Sequence, residues 1–142
     1  MSFTGNYTCN SFKSGLLSGD FDFDTLGDTI KMALYTNAAT LDEDTAIYTT
    51  VGEVPDTGTY SAGGVTLTVE KGITNNTAFI SFADATISVS TAFTARGALI
   101  YKDDGSKPAI CVLDFGSDKT TTTTFIVTFP TASSADALIR LT

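Results

Sequence analysis

The sequence contains no histidine, no tryptophan and only two cysteines. Histidine is the commonest general base in enzymes, so its absence excludes Ser-His-Asp and Cys-His catalytic arrangements. Two distant cysteines without histidine also cannot supply the four ligands of an ordinary zinc site. No glycine-rich phosphate-binding motif of the P-loop or dinucleotide-binding type occurs. We therefore expect a protein that is not an enzyme and that uses no cofactor and no metal.

Basic residues and long apolar runs are also scarce. Eight Lys and Arg residues stand against sixteen Asp and Glu residues, which gives a net charge of −8. Nucleic-acid binding needs clustered basic side chains to neutralise phosphates, and no basic stripe is visible. No apolar run approaches the roughly 20 residues of a membrane-spanning helix, and the N-terminus lacks the pattern of a signal peptide. We expect neither nucleic acid nor membrane as a partner.

The two cysteines, Cys9 and Cys111, lie far apart in the sequence and belong to no metal-binding or redox motif. A disulfide between them would require the fold to bring them together. Cys111 stands in the apolar run of residues 109–113, where a small buried side chain is the expected role.

Threonine and other β-branched residues are abundant, while helix-forming charged residues are few. Such side chains fit the pleated surface of a sheet, which favours strands. The runs at 94–101 and 109–115 are apolar on both faces and flank an Asp-Gly turn signal, so they are predicted to be a central hairpin. The sequence predicts an all-β antiparallel β-sandwich, jelly-roll or immunoglobulin-like, of seven or eight short strands. The predicted strands are 28–36, 65–70, 78–82, 87–89, 94–101, 109–115, 124–129 and 137–141.

One short helix is predicted near the N-terminus, over residues 11–19. Ser11 would cap it, Phe12 and Leu16 would share a face, and Gly19 would end it. We divide the chain into an N-terminal arm with this helix, residues 1–20, and a single β-sandwich domain, residues 21–142. The arm either packs beneath its own sandwich or docks on another subunit.

Three polar segments invite a functional interpretation. The loop at 37–60 is long for a compact domain, and long loops often carry interfaces. Within it, residues 41–48 are predicted to form a helical turn that begins with the acidic cluster at 41–45. The five threonines at 120–124 form either a hairpin loop, which we favour, or an exposed strip for contact with a neighbouring chain.

The stretch GDFDFDTLGDT, residues 19–29, resembles the start of a calcium-binding loop. Asp20, Asp22 and Asp24 match the first three ligand positions of an EF-hand, but Thr25 stands where that loop needs glycine. Lys31 stands where it needs a bidentate carboxylate. Period two instead predicts solvated aspartates on one face, with Phe21 and Phe23 packed on the other. A cation site of another geometry is left open.

Four segments together resemble a family of small virion structural proteins of tailed bacteriophages. They are NSFKSGLLSGD at 10–20, DTIKMALYT at 28–36, GTYSAGGVTL at 58–67 and FTARGALIY at 93–101. The resemblance covers most of the chain in the same order, and the loop at 37–55 has no firm counterpart. These are packing and turn motifs, and no catalytic residues come with them.

The resemblance implies a protein that is made in the cytoplasm of an infected bacterium and incorporated into the virion. Within the virion we expect a capsid decoration, or cement, protein at the capsid surface, where it stabilises the shell by bridging subunits of the major capsid protein. We also expect a homo-oligomer, with a trimer as the guess from shell symmetry. The alternative is a tail, fibre or baseplate component, which could contact the host surface, and a carbohydrate-binding sandwich is a third.

The contacts with a neighbouring subunit are expected from two segments, the arm at residues 2–17 and the loop at 37–60. Strand edges would pair between protomers. The predicted interface residues are Phe12, Leu16, Leu17, Phe21, Phe23, Leu41, Tyr48 and Tyr60.

Overall fold

Strands dominate the computed structural model, which describes residues 3–24 and 26–142, in keeping with the β-branched composition. Within these residues the chain forms ten strands and one helix, an all-β architecture. The strands are β1 (Tyr7–Thr8), β2 (Ile30–Tyr35), β3 (Val65–Thr66), β4 (Val69–Thr74), β5 (Thr77–Phe82), β6 (Ala85–Ser88), β7 (Phe93–Lys102), β8 (Ala109–Thr121), β9 (Thr124–Val127) and β10 (Ile139–Leu141), and the helix is α1 (Asn10–Ser18).

The strands form an antiparallel, sandwich-like arrangement of two layers, as predicted. The first layer is a five-stranded sheet in the order β1-β8-β7-β2-β3. The second layer contains a three-stranded sheet, β10-β5-β4, and a two-stranded sheet, β6-β9. Only two residues separate β5 from β6, and β10 and β9 pair with these two consecutive strands.

β7 and the first part of β8, residues 109–112, are buried on both faces, which confirms their predicted central position. β2, beside β7, is buried on both faces as well. On one face, Ile30, Met32 and Leu34 belong to the core between the layers. On the other face, Ala33 and Tyr35 belong to a second core that lies beneath the long loop. The loop side chains that close this second core include Ala39 and Leu41.

The single strand predicted over residues 65–70 is wrong, because the chain divides it between the two layers. β3 pairs with β2, whereas β4 pairs with β5. At the crossing, the N–H of Leu67 donates to the carbonyl of Ile30 at 2.8 Å, and the carbonyl of Thr68 accepts from the N–H of Ala83 at 3.0 Å. The alternation of apolar residues continues through the crossing, so the sequence pattern does not reveal it.

Helix α1 occupies the predicted segment, and Gly19 ends it in the left-handed conformation with φ of 78°. The predicted cap at Ser11 is wrong: Cys9 is the N-cap residue, and the Ser11 hydroxyl donates instead to the carbonyl of Ala109 at 2.8 Å. Gly15 lies inside the helix because a Cβ there would come within 2.6 Å of the Phe21 ring.

Residues 3–18 pack on their own sandwich, which was one of the two alternatives for the arm. Phe3 and Phe12 are each 2% exposed. β1 pairs with β8, with Tyr7 opposite Val112. Residues 3–18 therefore contribute a strand and a core-packed helix to the folded unit.

Turn chemistry explains the connections between paired strands. Asn75 and Asn76 both have positive φ, 51° and 64°, as a type I′ hairpin between β4 and β5 requires. The hairpin loop predicted for the threonines at 120–124 is wrong: Thr120 and Thr121 end β8, Thr124 begins β9, and these two strands pair with other strands and not with each other. Residues 41–48 do not form the predicted helical turn; this segment holds a turn and a bridge between Ile47 and Pro108.

Both cysteines are free and buried. The fold does bring them to adjacent strand segments, because Thr8 lies opposite Cys111 in the β1–β8 pairing. Cys9 belongs to the core under the long loop, whereas Cys111 belongs to the core between the layers. The two thiols therefore lie on opposite faces of the first sheet.

Candidate interaction surface

Three phenylalanines converge where α1 meets the segment that follows it. The ring centroids of Phe12 and Phe21 lie 5.0 Å apart, those of Phe12 and Phe23 lie 6.0 Å apart, and those of Phe21 and Phe23 lie 6.2 Å apart. Phe12 and Phe23 are buried, and Phe21 is half-buried. The period-two interpretation of GDFDFD is confirmed: its phenylalanines pack inward on the chain itself.

The aspartates of the same stretch point to solvent and hold the loop in shape. The Asp22 carboxylate accepts from the N–H of Asp24 at 2.9 Å, and the Asp28 carboxylate accepts from the N–H of Asp22 at 2.7 Å. Lys71 forms an ion pair with Asp24, and Lys102 pairs with Asp28 at 3.3 Å. The carboxylates are thus committed to local turns and lysines.

No three acidic or cysteine side chains converge as a metal cluster would require, in the part of the chain that the structure describes. Thr25, the sixth position of the calcium-loop comparison, lies outside the described residues. Lys31, the twelfth position, forms an ion pair with Asp103 at 3.3 Å.

None of the described helices is long and apolar enough to cross a membrane.

An apolar groove of about 540 Å³ lies between α1 and the sheet β10-β5-β4, and we call it the helix groove. Phe12, Leu16 and Phe23 line its helix side. Ile73 and Leu141 line its sheet side, along with other residues of β4, β5 and β10.

Large apolar side chains are exposed along this groove. Ile73 is 73% exposed and Leu141 is 54% exposed, although both belong to strands. Leu17, next to the groove-lining Leu16, is 92% exposed. Single exposed apolar residues are ordinary on a protein surface, but apolar residues grouped around a groove mark an interaction site.

The eight predicted interface residues divide into two groups. Leu16, Leu17, Phe21 and Tyr48 retain exposed surface, and three of these four belong to α1 or to the segment just after it. Phe12, Phe23, Leu41 and Tyr60 are buried against their own chain. Leu41 and Tyr60 shape the fold and line no part of the helix groove, whereas Phe12 and Phe23 face a partner only as its buried floor.

Sequence reasoning missed a hydrogen-bond network around Glu53, in the long loop. The Glu53 carboxylate accepts from the Tyr60 hydroxyl at 2.7 Å, from the Tyr48 hydroxyl at 2.6 Å and from the N–H of Gly63 at 2.8 Å. The Tyr60 oxygen in turn accepts from the N–H of Leu34, in β2, at 2.8 Å. The network ties the loop to the first sheet, so this part of the loop is structural.

Burial suppresses ionisation of the tyrosines in and around this network. It raises the pKa of Tyr101 to about 12, with contributions from Asp103 and Glu53. It raises the pKa of Tyr60 and of Tyr35 further, and the negative charge of Glu53 adds to the effect in both. These three side chains are 0–1% exposed, so their phenols stay neutral in the folded protein.

We expect the protein to lose stability steeply above about pH 10. A tyrosine with a raised native pKa keeps its proton while the unfolded chain releases it, so stability is complete below the ordinary pKa and falls above it. Well above the ordinary tyrosine pKa, each such tyrosine lowers the free energy of unfolding by about 1.4 kcal/mol per pH unit. Tyr35, Tyr60 and Tyr101 together give a slope of about 4 kcal/mol per pH unit. Urea unfolding measured from pH 8 to pH 11 in reducing buffer tests this. An unfolding free energy that is unchanged above pH 10 would contradict it.

The acidic cluster at 41–45 contacts a helix, but not one of its own. The N–H of Asn10 donates to the carbonyl of Glu43 at 2.8 Å, and the Asn10 side chain donates to the Asp44 carboxylate at 2.8 Å. The cluster therefore lies at the N-terminus of α1, where negative charge is favourable. The sequence correctly predicted that the acidic cluster lies at the N-terminus of a helix, but that helix is α1 and not one formed by residues 41–48.

The fold and this surface define a class: an all-β, sandwich-like protein with an exposed apolar groove beside a short helix. Comparison with known proteins does not narrow that class, because no protein-family model, no curated protein and no solved structure matches the chain.

Proposed function

We propose that the protein is a structural component of a tailed-bacteriophage virion and that it decorates the capsid shell, bridging subunits of the major capsid protein. The resemblance of the four sequence segments supports the virion class. The observation that carries the assembly role is the helix groove, an apolar surface with large exposed side chains on its walls. A protein that binds only the assembled shell stabilises it by mass action.

In this proposal the helix groove is the contact with the shell. Phe12 and Phe23 form its buried floor, and Leu16, Ile73 and Leu141 line its walls. Leu17, next to Leu16 on α1, extends this apolar surface beside the groove. Interfaces concentrate their binding energy in such partly enclosed apolar positions. The expected homo-oligomer, a trimer, would present several of these grooves to the shell at once.

Copy number per purified particle tests the proposal directly. A decoration protein follows the symmetry of the shell and should be present in on the order of hundreds of copies. Quantitative staining against the major capsid protein gives that ratio. A count in the tens or below would overturn the capsid assignment in favour of a tail, fibre or baseplate component.

We expect Ile73→Lys and Leu17→Lys each to weaken shell binding by about tenfold, because each places a charge against an apolar contact. The matched control is Leu26→Lys, since Leu26 is 98% exposed, does not line the helix groove and lies outside both predicted contact segments. The stability of all three variants should change by less than about 0.5 kcal/mol. Co-sedimentation with shells stripped of the protein measures binding, and equal binding by all three would exclude the helix groove as the contact.

A further inference from the structure

A second groove runs along the opposite side of β10, and we call it the lateral groove. It lies between the outer strands of the two layers, β1 and β8 on one side and β9 and β10 on the other. Its widest part, about 500 Å³, is lined by Leu113, Phe115, Phe125, Val127 and Leu138 among others. Two adjoining hollows, of about 100 Å³ and about 460 Å³, share Leu138 with it, and we include them in the lateral groove.

The strand edges along this groove are unpaired. β1 pairs with only Cys111 and Val112 of the thirteen-residue β8. Among the described residues β9 pairs only with β6. The hydrogen bond from the Val89 N–H to the Thr123 carbonyl, at 2.8 Å, fixes which residues of β9 direct their backbone groups toward β6 and which direct them away. By this alternation Phe125 and Val127 turn their backbone groups toward β6, while Ile126 turns its N–H and carbonyl outward.

Ile126 shows most clearly that the outer edge of β9 has no partner strand among the described residues. Its side chain is 57% exposed, it lines the groove, and its backbone has no partner among the described residues. A free edge beside an apolar groove binds an extended peptide as an added strand: backbone bonds supply affinity and the groove accepts alternate side chains.

Charge indicates what kind of segment fits. Five of the eight basic residues have a carboxylate within 4 Å. Among the described residues the other three, Lys13, Lys119 and Arg140, have none, and two of them line the lateral groove at different places. Arg140 does donate to the carbonyl of Ala135, and the one carboxylate in the widest part of the groove, Asp114, is neutralised by its ion pair with Arg96 at 3.0 Å. Cations without a carboxylate partner beside a groove, in a chain of net charge −8, complement an acidic occupant.

We propose that the lateral groove binds an extended segment of the shell subunit as a strand added beside β9, with apolar side chains at alternate positions and carboxylates that reach Lys119 and Arg140. The inference rests on the proposed function. A second copy of the chain is a poorer occupant, because pairing the same edge of two copies would bring the like-charged Lys119 and Arg140 of both into one interface.

Charge reversal separates this inference from the proposed function. Lys119→Glu and Arg140→Glu should each lower the affinity for stripped shells about five- to tenfold at low ionic strength, with a smaller effect at high salt. Lys107→Glu, which makes the same change in charge at the β7–β8 turn and lines neither groove, should alter it less than about twofold. If the unchanged protein does not bind shells, the proposed function and the inference both fail. If it binds and all three variants behave alike, only the inference fails.

A backbone test complements the charge test. Ile126→Pro removes the outward N–H that an added strand would use, while Ile126→Thr keeps it. We expect Ile126→Pro to lower shell affinity about tenfold relative to Ile126→Thr. Circular dichroism identifies a proline variant that fails to fold, and in that case amide exchange of the unchanged protein decides. Protection of the Ile126 amide on shells supports the inference, and unchanged exchange there overturns it. A groove variant that alters self-association but not shell binding would assign the groove to a second copy and also overturn it.

Discussion

Replacement of Glu53 by alanine is expected to lower the free energy of unfolding by about 3 kcal/mol. The substitution removes an acceptor of three hydrogen bonds, from Tyr48, Tyr60 and Gly63. The Tyr60 hydroxyl is buried and cannot replace that bond with water, so it carries the penalty of an unsatisfied group. Urea unfolding with the same m-value in both proteins would give the difference directly.

Two variants give this measurement its controls. Glu53→Gln keeps the shape and one acceptor oxygen and should lose about half as much stability. Glu70→Ala removes a carboxylate from an exposed position of β4 and should change stability by less than about 0.5 kcal/mol. If Glu53→Ala were as stable as Glu70→Ala, the network would not hold the long loop to the sheet.

Replacement of Gly64 by alanine is expected to be the more severe change, with a loss of about 4 kcal/mol or more. Gly64 has φ of 91°, a conformation that side chains with a Cβ rarely adopt. A Cβ there would also lie 2.0 Å from the carbonyl oxygen of Met32 in β2, and that backbone cannot move without breaking the β2–β3 pairing. Thermal unfolding and soluble yield measure the effect.

Gly105→Ala is the matched control. Gly105 lies in the β7–β8 hairpin turn, its φ is not in the left-handed region, and a Cβ there would meet nothing within 4 Å. Its replacement should be neutral to within about 0.5 kcal/mol. Equal stability of the Gly64 and Gly105 variants would show that the close approach at Met32 relaxes.

Glu53 and Gly64 both affect the turn that joins the long loop to the first sheet. The N–H of Gly63 donates to Glu53, and the carbonyl of Gly63 accepts from the Tyr101 hydroxyl at 2.5 Å. The turn at Gly63 and Gly64 therefore connects the long loop, β3 and β7. Because they share partners, the two substitutions should not be additive when combined.

Much of the fold follows from local pattern. The apolar faces of β7 and β8 and the Asp-Gly signal between them predicted the central hairpin that forms, and the run at 28–36 predicted the strand β2. Phe21 and Phe23 were correctly separated from the aspartates between them, because period two is a property of the extended chain itself. These features depend on neighbours in the sequence, so the sequence contains enough information to place them.

Features that depend on distant neighbours were beyond this kind of reasoning. Nothing near Glu53 in sequence marks it as the partner of Tyr60 and Gly63, and nothing near the acidic cluster at 41–45 indicates that it faces Asn10. The division at Leu67 is invisible for the same reason, since its apolar alternation is the same whether one layer or two receive it.

The sequence by itself determined the class of the protein: an all-β chain without histidine-based chemistry, with a short helix and a buried hairpin at its centre. Those properties follow from which side chains are present and from their period along the chain. Only the tertiary structure decided which predicted contact residues remain exposed, and it alone revealed the helix groove and the lateral groove. A groove is the space left between elements that are remote in sequence, so it exists only after packing has set their distances.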